Sequence, residues 1–288
     1  MSYLTFSSLG SSGGMCSQLQ SYASLLAVAK ANNKQIVFAE SMFNVGCGIK
    51  IFDLLNITPT IKPDSFFKDF KSKPIDFHTT SYDKTLFSLD ESNYDLNGRF
   101  DLYTYWYNDI KETIDSWEFQ ANIVHNARFR LEKIKEKLGN KPTVSIHIRR
   151  GDYTLPQNQP LNIIDREYYI KALTQNFLPT TDYIFLVFSN DIEYAKTQLE
   201  GDNIYFVEPK GIDSYSYTSS EKDDLVLLSL CNHHIITNSS YSWWGAYLSK
   251  NLNKKIICPT NWLVKNHESS WINGNHFPSN WINIDNKN

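Results

Sequence analysis

The 288-residue chain contains no Asp-x-Asp pair. Sites that hold a nucleotide diphosphate through a divalent cation need carboxylates for the metal, so a metal clamp of the usual kind is not expected. The glycine-rich G-x-x-x-x-G-K-[ST] phosphate loop is also absent. A bound diphosphate would then have to be held by cationic side chains and backbone N–H groups. Cysteine is scarce: Cys16, Cys47, Cys231 and Cys258 are scattered without metal-type spacing. That argues against a zinc site or a disulfide framework and suits a reducing cytosol. There is no excess of positive charge, with 28 basic against 31 acidic residues and a net charge of −3. A general nucleic-acid binder is therefore not expected, although a local basic pocket is compatible with this balance. No segment approaches the roughly 18 consecutive apolar residues of a membrane span. The start, "MSYLTFSSLGSSGG", lacks the basic cluster and apolar core of a signal peptide. The expected location is cytoplasmic, with attachment to a membrane surface left open. The tripeptides at Asn56 and Asn238 fit the N-x-S/T pattern but carry no weight without secretion.

Aromatic side chains are abundant, at 14% with seven Trp and seventeen Tyr. Carbohydrate clefts favour flat apolar faces with a polar edge, and an aromatic-rich core is the plainer explanation for any one of them. Along the chain, "YLTFSSLG" reads as a short strand, and "SQLQSYASLLAVAKA" as a helix with Leu19, Tyr22, Leu26 and Ala29 on one stripe. "KQIVFAE" follows as a strand. Residues 41 to about 100 are irregular, punctuated by Pro59, Pro63 and Pro74. A strand is expected near 100–106, a helix over 122–138, and a break between halves at "LGNKP", 138–142. The expected division is therefore 1–140 and 141–288. The second half alternates strand and helix through five strands, several of them almost continuously apolar. That pattern predicts a doubly wound parallel sheet in an α/β fold, with ligands beyond the carboxyl ends of the strands.

Two strand ends carry unusual polar residues. "VSIHIRRGDY" runs from an apolar strand into Arg149, Arg150, Gly151 and Asp152. Alternation places His147 and Arg149 on one face and turns Arg150 to the other. One arginine is expected to face a ligand and the other to hold the loop, paired with Asp152. Arginine suits bidentate contact with phosphate oxygens; structural ion pairs for both arginines are the alternative. The second end is Thr237-Asn238-Ser239-Ser240, leading to Tyr241, Ser242, Trp243 and Trp244. Its hydroxyls and a helix N-terminus could cradle a phosphate, or could simply cap the helix. His233 and His234 suggest a metal only weakly, because no second cluster supports them.

The segment His147 to Tyr153 resembles the H-x-R-R-G-D-Y motif of bacterial α-1,2-fucosyltransferases, glycosyltransferase family 11. "DLVLLSLCNHHIITNSSYSWWGAYL", Asp224 to Leu248, resembles the second long motif of that family, and the similarity extends through "YIFLVFSNDIEYAK" and "DLYTYW". The resemblance implies a GT-B-like enzyme of two Rossmann-like halves with the active site between them. The first half would be the acceptor side and the second would bind GDP-fucose. It implies inverting transfer of fucose to the 2-hydroxyl of a β-galactoside without a required metal, in O-antigen or other surface-glycan synthesis. It places donor binding on Arg149, Arg150, Asp224, Asn238, Ser239 and Ser240, and on Gly14, Ser17 and Gln18 of the first loop. That loop reads Gly-Gly-Met-Cys-Ser-Gln where the family usually shows G-G-L-G-N-Q. The acceptor wall would involve Tyr105, Trp106, Tyr107 and Trp243, with Tyr107 standing where the family commonly has Gln.

The chemistry requires stabilisation of the departing diphosphate, assigned to Arg149 with His147 beside it, and a base for the acceptor hydroxyl. Asp152 is the first candidate for that base and His147 the second. Two other readings stay open: a transferase of the same shape with a different donor or linkage, and a nucleotide- or glycan-binding relative without turnover. The partners expected are GDP-fucose and a galactoside, with no nucleic acid. The expected place is the cytoplasm, with peripheral association at the inner face of a bacterial membrane.

Overall fold

A computed structural model of the chain describes residues 2–11, 13–44, 48–75, 83–98, 100, 103–156, 163–208, 221–263 and 276–286. These fall into two compact units, the first running to Gln120 and including His276, the second beginning at Ala121 and resuming at Phe277. The boundary therefore precedes the long helix expected over 122–138, and the helix joins the second unit. The break expected at 138–142 is the turn between that helix and the next strand.

In the first unit the elements are β1 (Tyr3–Thr5), α1 (Met15–Ala31), β2 (Gln35–Ile36), β3 (Phe38–Ala39), α2 (Ile51–Leu54), β4 (Ile61–Lys62), β5 (Lys71–Pro74), β6 (Tyr94–Asn97) and α3 (Lys111–Asp115). β2, β1, β6 and β5 form a parallel sheet in that order, and β3 pairs with β4. The expected strand "KQIVFAE" is split at Val37, whose N–H bonds Leu4 while Phe38 N–H turns to Thr60. The single apolar stripe expected of α1 is not observed. Its buried residues cover nearly every side and include Gln18, Gln20, Ser21 and Ser24, while Leu26 is half-exposed. A helix enclosed on all sides has no solvent face to write into the sequence.

The strand expected near 100–106 is also not observed. Tyr103–Tyr105 form a 3₁₀ turn, and the N–H groups of Trp106 and Tyr107 both reach the Tyr103 carbonyl. Asp101 and Leu102 lie outside the described residues. Alternating aromatics mimic a strand there because each ring fills a different pocket. Tyr105 packs on Phe100 and Phe87, and Tyr103 on Tyr107.

The second unit contains α4 (Ala121–Leu138), β7 (Thr143–Ile148), α5 (Arg166–Asn176), β8 (Ile184–Ser189), α6 (Ile192–Gln198), β9 (Ile204–Phe206), α7 (Glu221–Ser229), β10 (His233–Ile235), α8 (Ser240–Tyr247), β11 (Ile256–Pro259) and β12 (Ile282–Ile284). All six strands are parallel, in the order β12-β11-β10-β7-β8-β9. This is the doubly wound arrangement, with one strand more than expected. Every residue of β7 is buried, including the polar Thr143, Ser145 and His147, and β8 is buried up to Ser189, which accounts for its almost continuously apolar sequence. Val144, Ile146 and Ile148 share a core with Phe185, Val187, Ile235 and Ile257. Asp165, Asp191 and Ser239 begin α5, α6 and α8 by accepting hydrogen bonds from the first turns.

In an open sheet of this order the connections diverge between the first strand and the fourth, leaving a crevice at their carboxyl ends. Here those strands are β7 and β10, and they end in the two polar segments singled out above.

Candidate active site

A cavity of about 230 Å³ opens at the carboxyl end of β7. His147 and Arg149 line it together, as strand alternation requires. Phe188, Ser189 and Asn190 enter from the end of β8, Val207 from beyond β9, Glu221 and Asp224 from α7, and Tyr241 from α8.

Arg149 is the cation of this cavity. Its Nη2 donates to Asp152 Oδ1 at 2.5 Å, and the guanidinium lies 5.3 Å from the Tyr153 ring centre. Its Nε is buried and meets no acceptor among the described residues. A guanidinium offers five N–H donors, so the single bond to Asp152 leaves capacity for an anion. The Asp152 side chain is about half exposed.

Arg150 has the opposite fate. Its Nη1 donates to Asp191 at 3.0 Å, and its guanidinium lies 4.1 Å from the Tyr194 ring centre. The backbone N–H of Arg150 bonds Asn190 Oδ1 at 3.0 Å. The pairing expected between Arg150 and Asp152 is thus replaced by two others: Asp152 holds Arg149, and Asp191, forty-one positions away from Arg150, holds Arg150. Gly151 permits the turn between them. Its φ is +40°, and a Cβ there would meet the Asn190 side chain at 2.1 Å.

His147 is buried and shares a 2.9 Å hydrogen bond through Nδ1 with Ser242 Oγ. Its ring centre is 5.3 Å from that of Tyr241. Burial, and secondarily the charge of Arg149, lowers its pKa to about 3. It is therefore a neutral imidazole at physiological pH, suited to hydrogen bonding and poorly suited to taking up a proton.

At the end of β10, most polar groups are engaged in holding the chain. Asn238 is fully buried: its Nδ2 donates to Trp262 O at 2.7 Å, and its Oδ1 accepts from Thr237 at 2.9 Å. Its carbonyl accepts from Tyr153 Oη at 2.8 Å. Ser239 caps α8. For Ser239 the plainer reading, a helix cap, describes what the side chain does. Ser240, which begins α8, is half-buried. Asp224 lines the cavity and accepts from Arg130 at 2.7 Å. Trp243 is core, stacked on Tyr247 with centres 5.1 Å apart and packed on Trp281.

The candidates in the first unit are largely consumed by its own structure. Gly14 is exposed and precedes α1, and its carbonyl accepts from Ser17 and Gln18. The Gln18 side chain is buried: it donates to Gly48 O at 2.9 Å and accepts from Lys50 N at 2.8 Å, pinning the irregular segment 48–50. Trp106 is wholly buried, and Tyr105 accepts from the Asp83 N–H at 2.9 Å. Of the aromatic residues expected to touch an acceptor, only Tyr107 keeps a half-exposed ring.

Glu221, Phe188, Val207 and Tyr241 were not expected from the sequence. They converge from four elements and have no shared motif spacing. Tyr241, which directly follows the Asn-Ser-Ser segment, is the one whose position offered a signal. Among the described residues, no group of three or more His, Cys, Asp or Glu is placed to hold a metal ion. No helix there is long and apolar enough to cross a membrane.

Comparison with known proteins decides the family. The profile of glycosyl transferase family 11 matches residues 9–285. The chain belongs to glycosyl transferase family 11. Among curated relatives, the O-antigen biosynthesis glycosyltransferase WbnK of Escherichia coli is 35% identical over 141 residues, covering 46% of this chain and 45% of WbnK. An alpha-1,2-colitosyltransferase of Escherichia coli is 28% identical over 223 residues, covering 73% and 69% of the two chains. Mouse galactoside alpha-(1,2)-fucosyltransferase 2 is 25% identical over 252 residues, covering 84% and 67%. This family 11 chain therefore matches less than half the length of WbnK and about two thirds of the other two. Among solved structures, POFUT1 in complex with GDP superposes with a TM-score of 0.54 at 10% identity, covering 89% of this chain and 98% of that one. The fucosyltransferase NodZ from Bradyrhizobium gives 0.51 at 12%, covering 85% and 93%. The fold is accordingly the GT-B-like α/β fold of these fucosyltransferases.

Proposed function

We propose that this family 11 member is a galactoside α-1,2-fucosyltransferase that uses GDP-fucose, acting in the assembly of a bacterial surface glycan. The observation that carries the reading is the Arg149 guanidinium at the switch point of the sheet, with its Nε unsatisfied beside a cavity. The POFUT1 structure, similar in fold, was determined with GDP, and curated relatives are named for α-1,2 transfer of fucose or colitose. The second unit would bind the donor and the first would supply the acceptor side.

In this reading the diphosphate lies against Arg149, and Glu221 and Asp224 offer carboxylate oxygens to the N–H groups of guanine. The acceptor 2-hydroxyl oxygen bonds to the fucose anomeric carbon from the face opposite GDP. The bond to the diphosphate oxygen breaks and its electron pair leaves with GDP. Arg149 and backbone N–H groups stabilise that growing charge, so no metal is required. The acceptor proton passes to Asp152 in preference to His147, whose buried imidazole is too weak a base. His147 instead keeps the floor of the cleft in register through Ser242. Arg150 contributes through the loop, with its fork occupied by Asp191. The enzyme works in the cytoplasm, in peripheral contact with the membrane.

A second reading has a specific basis in the relative named for colitose, which matches a larger share of this chain than WbnK does. Colitose is fucose without its 3-hydroxyl. Incubation with GDP-fucose, GDP-colitose, GDP-mannose and UDP-sugars, each with a panel of β-galactosides, separates the readings by product mass and linkage. A fucosylated product with an α-1,2 bond supports the first. Transfer from GDP-colitose alone supports the second. GDP binding without transfer from any donor would leave a binding protein.

A further inference from the structure

The opposite end of the same sheet carries a different surface. The loops before β7, β8 and β11 meet there: Lys141 Nζ donates to Thr181 O at 2.8 Å, and Lys255 Nζ to Asn176 O at 3.2 Å. Two leucines project from these loops, Leu178 at 64% exposure and Leu252 at 98%. They are the two most exposed large apolar side chains among the described residues. Folding gains nothing from a leucine standing wholly in water.

Their surroundings are basic. Lys250, Lys254 and Lys255 flank Leu252 in "KNLNKK", and Lys141 lies across the Leu178 loop. Lys141, Lys255 and the part-buried Lys254 are tied to main-chain carbonyls, Lys254 to those of Tyr247 and Ser249, which fixes the ammonium groups without cancelling their charge. The positive field is felt inside the unit as well. After burial, Lys255 is the next cause holding the His233 imidazole below its usual range. Among the described residues, Asp182 lies on the Leu178 loop, Glu200 and Asp202 on the loop into β9 and Glu136 in the last turn of α4, so the rim is most basic on the β10–β11 side, around Leu252.

We propose that this rim is a docking surface for an anionic lipid bilayer, with Leu252 and Leu178 entering the headgroup boundary while the lysines meet lipid phosphates. A protein partner is less well matched, since two separated leucines with lysines beside them do not make the continuous apolar centre of a stable interface. An isolated apolar side chain among lysines on an exposed loop suits a surface that is soft, anionic and laterally mobile. β7 runs from this rim to the cavity in six residues, which is roughly 20 Å of strand. Docking by the rim therefore holds the cavity away from the headgroups, where the outer end of a lipid-linked glycan is within reach.

Docking does not depend on transfer, so the two can fail separately. The test is flotation of the whole chain with vesicles of phosphatidylglycerol and phosphatidylethanolamine, against vesicles of phosphatidylcholine alone. Binding is expected on the anionic vesicles only and should weaken with salt. Lys141→Gln and Lys255→Gln should each lower partition about fivefold, and Leu252→Ser should lower it further, with melting temperature and transfer to a soluble galactoside unchanged. Equal binding to phosphatidylcholine, no binding to either vesicle, or binding untouched by all three substitutions overturns the proposal. So does self-association that Leu252→Ser abolishes in a chain that ignores vesicles.

Discussion

The end of β7 and the start of α1 carry similar-looking polar residues after a short strand, yet they use them differently. In Gly14–Gln18 and at Tyr105 the hydrogen-bonding groups close on the first unit itself: Gln18 clamps Gly48 and Lys50, and Tyr105 holds Asp83. At Arg149 a buried donor is left over beside open space. A buried donor without a partner costs roughly 1–3 kcal/mol, a cost that ligand binding can recover. Residue type alone does not mark a functional group, and neither does a leftover donor by itself, since Gln20 Nε2 and His234 Nε2 also meet no acceptor among the described residues; what sets Arg149 apart is a leftover donor on a residue that lines a cavity. The neighbouring pair Arg149 and Arg150 repeats the contrast within two residues.

The largest effect that would break this comparison is on Arg149. Arg149→Lys should reduce transfer roughly 10²–10³-fold, as loss of a preorganised donor to the leaving group does, with little change in melting temperature. Near-normal turnover would remove the distinction between the two regions. Gln18→Ala tests the other side. It removes a buried amide bonded to two backbone groups and should cost about 2–3 kcal/mol of stability, read as a lower urea midpoint. A loss of GDP affinity without that loss of stability would show that Gln18 is a donor contact after all.

A pH titration of stability ranks next. His147, lowered to about 3, and His234, also buried and bonded through Nδ1 to Ser145 at 2.8 Å, are held neutral in the folded chain. Their unfolded values are near 6.5, so the unfolded chain binds more protons below that pH. Stability should be flat with respect to these groups above about pH 6.5. It should fall as pH drops toward 3, by at most about 1.4 kcal/mol per pH unit for each histidine. His234→Asn should reduce that slope; an unchanged slope would count against it. The smallest effect is expected for Arg150→Ala. Its pair with Asp191 is partly exposed, so a loss of about 0.5–1 kcal/mol is expected, with transfer within about threefold of the wild type. A loss as deep as that for Arg149→Lys would put both arginines on the donor.

The second unit was largely legible because its central strands are buried on both faces and α5, α6 and α8 open with a capping aspartate or serine. β12 escaped notice: it is a three-residue edge strand, "INI", with two of its residues exposed. The first unit was harder to read because its strands are two to four residues long, too short for a period to show, and its one long helix has no solvent face. In the site, His147 and Arg149 followed from alternation along β7. The partner of Arg150 did not, because Asp191 comes from the next strand-helix turn and only the folded sheet brings it near. Glu221, Phe188 and Val207 reach the cavity by the same kind of convergence.

The most direct test is calorimetric titration of GDP into the wild type and Arg149→Ala, with Arg150→Ala as the internal control. The account predicts that Arg149→Ala weakens GDP binding about 10–100-fold, the equivalent of one or two charge-assisted hydrogen bonds, while Arg150→Ala changes it little. Equal GDP affinity in the wild type and Arg149→Ala would contradict it.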